Sequence, residues 1–107
     1  MRKLLIAVVV SLAAMFAFTS VASADTLKYP TAKRLAVKLA EAEERKKPVE
    51  SWRIFGAERT SPHQIVWVYN VDYADGSLCD AELVVRIKTK NGRRYNQAFF
   101  RDVHCER

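Results

Sequence analysis

The first regular pattern of apolar and polar positions begins just after Pro30. Apolar residues recur there at spacings of 3, 1, 3 and 3 positions, at Ala32, Leu35, Ala36, Leu39 and Ala42. This spacing places them on one face of an α-helix, with charged residues on the other face. Pro30 suits a first helical turn and Pro48 stops a helix. The pattern therefore predicts one amphipathic helix between the two prolines.

After Pro48 apolar and polar positions alternate, which is typical of half-buried β-strands. Gly56 predicts a bulge in the first strand, and Thr60-Ser61-Pro62 predicts the turn that follows it. The four segments that show the alternation are residues 51–59, 64–73, 78–89 and 93–103.

Two turns that contain glycine set the pairing of the last three strands. Residues 74–76 and 90–92 both place Gly third in a three-residue loop, where a left-handed backbone is needed. A two-residue loop in the first hairpin would bury polar groups at a cost of ~1–3 kcal/mol each. The three-residue loop instead pairs Val71–Cys79, Tyr69–Ala81, Trp67–Leu83 and Ile65–Val85. The second hairpin, built in the same way, pairs Ile87 with Tyr95, Leu83 with Phe99 and Cys79 with Val103.

These elements predict an α+β fold, in which one N-terminal amphipathic helix packs on a four-stranded antiparallel β-meander. The layout is similar to that of the cystatin-like and related helix-on-sheet folds, and the likeness is topological. Cystatin inhibitors carry a Gln-x-Val-x-Gly hairpin loop. Residues 64–68 read Gln-Ile-Val-Trp-Val, which lacks the Gly and falls inside a predicted strand. The resemblance therefore implies a fold, with peptidase inhibition as an alternative function.

The N-terminus has the three parts of a secretory signal. Residues 2–3 are basic, residues 4–18 are apolar apart from one serine, and residues 22–24 form an Ala-Ser-Ala cleavage motif. We predict a signal peptide over residues 1–24 and a single small domain over residues 25–107. The protein is then secreted or held in the periplasm or cell envelope. No integral membrane segment is expected after cleavage, because no second apolar run exists.

Length and charge limit the function classes. Removing 24 of the 107 residues leaves 83, which is one domain at most and excludes a two-domain enzyme or a transporter. The whole chain has 18 Lys and Arg against 12 Asp and Glu, a net charge of +6. Loss of Arg2 and Lys3 with the signal lowers the net charge to +4.

The chain has two cysteines, Cys79 and Cys105, and both follow the predicted signal. Oxidising compartments favour pairing, and no Cys-x-x-Cys motif indicates a metal site. We predict a structural disulfide, which the chain-entropy model values at roughly 3.5 kcal/mol for a loop of about 27 residues. In the predicted register Cys105 lies two residues beyond the partner of Cys79. Either a bulge near Arg101-Asp102 or a curled tail must bring the sulfurs together.

Candidate catalytic and metal-binding residues are few. A hydrolase could combine His63 with Ser61 and Asp72, but no nucleophile elbow is present. His104 lies beside Cys105. A calcium site could use three aspartates near the first hairpin, although their spacing is not that of a calcium loop: Asp72, Asp75 and Asp80. We therefore predict no catalysis, no cofactor and no metal, with a small secreted hydrolase as the second alternative.

Two surfaces remain as candidates for binding. Five cations gather at the second hairpin, where residues 86–94 contain no acid: Arg86, Lys88, Lys90, Arg93 and Arg94. They predict contact with a polyanion such as an acidic cell-envelope polymer, or else a solvated edge that blocks strand addition. The outer face of the sheet is apolar at Val66, Val68, Val84, Ala98 and either Phe99 or Phe100. That face predicts a macromolecular partner or self-association. The leading hypothesis is a small exported binding or assembly domain without catalysis.

Overall fold

A computed structural model describes residues 18–19 and 26–106 of the chain. Its elements in chain order are β1 (Phe18–Thr19), α1 (Tyr29–Glu44), β2 (Val49–Ser61), β3 (Gln64–Tyr73), β4 (Leu78–Lys90) and β5 (Arg93–Glu106). One helix followed by four long antiparallel strands confirms the predicted α+β class. The predicted signal over residues 1–24 lies outside the described residues, apart from β1.

The helix α1 covers one face of the sheet, which we call the inner face. Pro30 lies in its first turn, as predicted. All five predicted inward positions are buried: Ala32, Leu35, Ala36, Leu39 and Ala42. The helix contacts β4 and β5 most closely, so Trp52 and Ile54 on β2 are only half-buried. No helix in the described part of the chain has the length and apolar character needed to cross a membrane.

The sheet has the strand order β1-β5-β4-β3-β2, with antiparallel pairing throughout. The two-residue strand β1 was not predicted. It pairs with β5 through Phe18–Asn96 and Thr19–Tyr95, where β5 would otherwise present unpaired backbone groups at the edge of the sheet. β2 forms the other edge.

The hairpin between β3 and β4 has the predicted register. Val71 lies opposite Cys79, and the predicted partners follow in order to Ile65 opposite Val85. The Tyr73 amide donates to the Ser77 carbonyl at 2.9 Å, which closes the three-residue loop. Gly76 in that loop has a φ of 91°, a left-handed conformation that glycine adopts without a Cβ clash.

The predicted register of the hairpin between β4 and β5 is wrong by one residue on β5. The loop has two residues, Asn91 and Gly92, with φ values of 52° and 76°. A two-residue loop of this kind needs left-handed backbone at both positions, and Asn-Gly is the pair that supplies it most readily. The observed pairs are Lys90–Arg93, Ile87–Asn96 and Leu83–Phe100.

A bulge in β5 brings the two cysteines together. The register shifts between Asp80 and Glu82, and Asp102 takes a φ of 54°. The extra residue on β5 places Cys105 directly opposite Cys79, and the two sulfurs are bonded. The structure therefore confirms the predicted disulfide. Of the two routes left open by the sequence, it shows the bulge near Arg101-Asp102.

The core lies between α1 and the inner face of the sheet. Among its members with almost no exposed surface are Trp67, Leu27, Leu39, Leu83 and Val85. The ring of Tyr69 packs against that of Phe100, with centroids 4.5 Å apart. The predicted inner residues of β3 and β4 all belong to this core or pack against it. The opposite, outer face carries the polar positions of β4 and β5, and it holds the candidate site.

Candidate polyanion-binding surface

The two-residue turn decides which cations share a face. With Lys90 opposite Arg93, every second residue of β4 from residue 86 to residue 90 points outward, together with residues 93, 95 and 97 of β5. Four of the five predicted cations thus lie on the outer face, and we call them the basic strip: Arg86, Lys88, Lys90 and Arg93. Arg94 lies opposite Thr89 on the inner face and does not join the strip.

Aromatic side chains lie beside the basic strip. The Arg86 guanidinium carbon lies 4.6 Å from the centroid of the Phe99 ring, a cation–π distance. The Arg86 Nε donates to Gln97 Oε1 at 3.1 Å. Tyr95 lies opposite Lys88. The base of the strip is therefore ordered by stacking, whereas Lys90 and Arg93 at the tip are exposed.

No carboxylate lies within the strip. The sequence has no Asp or Glu between Glu82 and Asp102. Glu82 Oε1 accepts from Arg101 Nε at 2.6 Å. The positive field of the strip is therefore local, and it extends into solvent at the hairpin tip.

The predicted apolar patch on the outer face is partly corrected. Val66, Val68 and Val84 lie there, and of the two phenylalanines it is Phe99 that faces outward. Ala98 does not belong to the patch, because the register of β5 turns it inward opposite Val85, where it is fully buried. The exposed part of the patch is a pair on neighbouring strands, Phe55 (42% exposed) opposite Val68 (39% exposed).

A second polar cluster lies at the other end of the sheet, around the β3–β4 loop. Asp75 Oδ1 accepts from the Ser77 hydroxyl at 2.6 Å and from the Ser77 amide at 2.9 Å. Lys47 Nζ lies 3.1 Å from Asp75 Oδ2. The two hydrogen bonds from Ser77, and then the Lys47 ammonium, hold the pKa of Asp75 well below its usual range. These contacts fix the loop.

Beneath this loop Glu43 is only 5% exposed, although it is a charged residue in the last turn of the helix. Tyr73 Oη donates to Glu43 Oε2 at 3.3 Å, and Lys46 Nζ lies 3.6 Å from Oε1, too far for a hydrogen bond. Among the described residues, Glu43 Oε1 and Tyr69 Oη have no hydrogen-bond partner. Burial, and after it neighbouring charges that include Glu43, raises the pKa of both Tyr69 and Tyr73 far above that of a free phenol.

Glu43 could have been recognised from its position in the helix. It lies four residues after Leu39 and seven after Ala36, so it continues the apolar stripe. A carboxylate in that position must either be buried or mark the end of the buried stripe. It can be buried only where a nearby group donates a hydrogen bond to it. The sequence did not show that the Tyr73 hydroxyl would reach it.

The structure separates the residues of the hypothetical hydrolase site. Ser61 and His63 lie at the β2–β3 turn, where Ser61 Oγ accepts from the His63 amide at 3.1 Å. Asp72 lies nine residues further along β3, roughly 30 Å away at about 3.3 Å per residue. Its carboxylate accepts from Ser51 Oγ at 3.5 Å. These three residues do not form one site.

The remaining candidates are placed as follows. His104 lies opposite Asp80 on the outer face, next to the disulfide. In the described ranges, no group of three or more His, Cys, Asp or Glu side chains is arranged to hold a metal ion. Residues 64–68 lie inside β3, away from any hairpin loop.

The chain was compared with protein families, curated proteins and solved structures. No protein-family model matches the chain, no curated protein matches it, and no solved structure matches it.

Proposed function

We propose that this protein is an exported, non-catalytic domain that binds an acidic polymer along the outer face of the β4–β5 hairpin. One observation carries the proposal. The basic strip places Arg86, Lys88, Lys90 and Arg93 on one face of a protruding hairpin that has no carboxylate between Glu82 and Asp102.

The spacing of the strip supports a linear polymer as the ligand. Side chains two residues apart on one strand face lie about 6.6 Å apart, so the three cations of β4 extend over roughly 13 Å. A chain with regularly repeated anionic groups can meet several of them at once. Since the sequence predicts export, we expect the ligand to be an acidic polysaccharide of the cell envelope. Binding to a single-stranded nucleic acid instead would show that the ligand belongs to a different class.

Binding is tested with protein purified from the exported fraction of cells that express the full chain. Dextran sulfate and alginate serve as acidic probes, and uncharged dextran serves as the matched neutral polymer. We expect both acidic polymers to bind and their affinity to fall steeply with salt, because charges more than about 8 Å apart are screened at physiological ionic strength. Uncharged dextran should not bind.

A charge-matched pair of variants separates the strip from the net charge. Reversing Lys88, Lys90 and Arg93 to Glu should abolish binding, because these side chains lie on the proposed surface. The control reverses three cations of the helical segment, and it changes the net charge by the same amount: Lys28, Arg34 and Lys38. Equal loss of binding in both variants would show that the total charge governs binding, and it would contradict a local site.

The proposal includes export, which has a separate test. Mass spectrometry of the exported protein should show a chain that starts at Asp25, one residue after the Ala-Ser-Ala motif. Intact chains that still carry Met1 and remain in the membrane fraction would contradict cleavage.

A further inference from the structure

The β2 edge of the sheet has an open side. β2 pairs with β3 along its length, and within the described part of the chain no strand pairs with its other side. All residues from 55 to 61 are exposed. An edge strand of 13 residues, whose outer side pairs with no described strand, is a template for another strand.

The bulge in β2 brings two opposite charges to the same face. Phe55 lies opposite Val68, and the next pair is Glu58 opposite Val66, with Gly56 in a left-handed conformation at a φ of 67°. In a regular strand, residues five positions apart face opposite sides. Because of the bulge, both Arg53 and Glu58 point to the outer face. Within their own sheet each lies opposite a neutral residue, Asn70 and Val66 respectively.

We propose that a second copy of this chain pairs with the β2 edge, so that two sheets join as one across a two-fold axis. An antiparallel β2–β2 pair centred between Phe55 and Gly56 places Arg53 of each copy opposite Glu58 of the other. Two ion pairs form by symmetry, and both lie on the outer face. No like charges are opposed in this register, and Trp52 lies opposite Arg59 on the inner face.

The charges select this register over its neighbours. A slip of one residue places Arg53 opposite Ala57 in one direction and opposite Arg59 in the other. A slip of two residues places Phe55 opposite Glu58 in one direction and Arg53 opposite Gly56 in the other. Both slips lose the two ion pairs.

Apolar surface next to the two-fold axis also supports a second copy of the chain as the partner of β2. Phe55 is the more exposed member of the outer-face pair with Val68, and the Arg53 guanidinium carbon lies 4.9 Å from the centroid of its ring. In the paired sheet the two Phe55 rings meet near the axis. On the inner face Trp52 and Ile54 are half-buried because α1 lies over β4 and β5. The other edge, β5, is less suited to self-pairing, because it carries three arginines, whose like charges would meet across a symmetric pair.

Oligomeric state is measured on the purified exported protein by light scattering and sedimentation, from micromolar to submillimolar concentration. The wild type should dimerise. Arg53→Glu and Glu58→Arg should each weaken the dimer about tenfold or more, because each variant places like charges opposite each other twice. Both residues are exposed, so far-ultraviolet circular dichroism and thermal unfolding should report an unchanged fold.

Mixing the two variants gives the decisive result. An Arg53→Glu chain carries acids at both positions and a Glu58→Arg chain carries cations at both, so the mixture should form a heterodimer. The doubly swapped chain, Arg53→Glu with Glu58→Arg, should dimerise like the wild type. As a matched control, Arg93→Glu on the distant hairpin should leave dimerisation unchanged. A wild type that stays monomeric throughout, a dimer that Arg53→Glu does not weaken, or a mixture that does not associate would each overturn the proposal.

Discussion

The disulfide should supply a large part of the stability of this small domain. The perturbation is the double variant Cys79→Ala with Cys105→Ala, which leaves no free thiol behind. The cross-link joins residues 26 positions apart, directly opposite each other on β4 and β5. The chain-entropy model gives about 3.5 kcal/mol for a loop of that length. Domains of this size have stabilities of only ~5–15 kcal/mol, so the loss should be large.

The expected decrease in the free energy of unfolding is about 2–4 kcal/mol, measured by urea denaturation without reductant. Each kcal/mol shifts the Tm of a domain this small by roughly 4–8 °C. The slope of the free energy against urea concentration should rise in the variant, because the unfolded chain without the cross-link exposes more surface. Reduction of the wild type should reproduce both changes.

Two results would refute this explanation. Titration that finds two reactive thiols in the exported wild type would show that the bond does not form in the cell. A loss of stability below about 1 kcal/mol, with an unchanged urea slope, would show that the cross-link does not act on the unfolded chain.

Three further perturbations test the local structure. Tyr73→Phe leaves the buried Glu43 carboxylate without its hydroxyl donor and should cost about 1–3 kcal/mol in urea unfolding, whereas the same change at an exposed tyrosine should cost almost nothing. The pKa values of Tyr69 and Tyr73 are raised in the folded state. The stability that they contribute is therefore complete below the free-phenol pKa of about 10 and is lost as the pH rises above it. Phenolate absorbance from these two residues should appear together with unfolding. Gly92→Ala and Asp102→Val each put an unsuitable side chain at a left-handed backbone position and should each destabilise by about 1–2 kcal/mol, with Asp102→Asn as the near-neutral control.

The sequence predicted the parts of the fold in which only one arrangement buries the apolar residues. The stripe from Ala32 to Ala42 has no competing helical face. In the β3–β4 hairpin, the three-residue loop pairs apolar residues along the whole strand, and the two-residue loop does not. In both cases a shift of one residue would bury polar groups, so the hydrophobic pattern was sufficient.

The β4–β5 register could not be obtained in the same way, because β5 has apolar residues on both faces. Phe99 and Phe100 are adjacent, so either loop length buries one of them. The preference of Asn91-Gly92 for a two-residue turn then decides the register. The requirement that Cys105 reach Cys79 was a second constraint, and together with this turn it needs the bulge at Asp102.

The same uncertainty limited the candidate site. The group of cations was visible in the sequence, but its division between faces depends on the turn, which sends Arg93 outward and Arg94 inward. The open edge was hidden for a similar reason. Alternation alone places Arg53 and Glu58 on opposite faces of the sheet. Only a bulge of known length at Gly56 brings the two opposite charges to the same face, and the sequence did not give that length.

The two proposals predict a coupling that neither makes alone. A two-fold axis perpendicular to the joined sheet keeps both outer faces on one side, so the two basic strips face the same way. The two β4 strands are then five strand spacings apart, roughly 24 Å at about 4.8 Å each. The strips also extend in opposite directions from the axis, so the two Lys88 residues are displaced by about 36 Å along the strands and lie roughly 43 Å apart. A polymer longer than this distance can bind both strips, and the second contact becomes intramolecular, which raises the apparent affinity without any new contact. Arg53→Glu should therefore weaken binding of long alginate at least tenfold, while alginate fragments shorter than the distance between the strips should bind with unchanged affinity. Equal weakening for long and short chains would show that Arg53 contacts the polymer directly, and unchanged binding of both would show that the two strips do not act together.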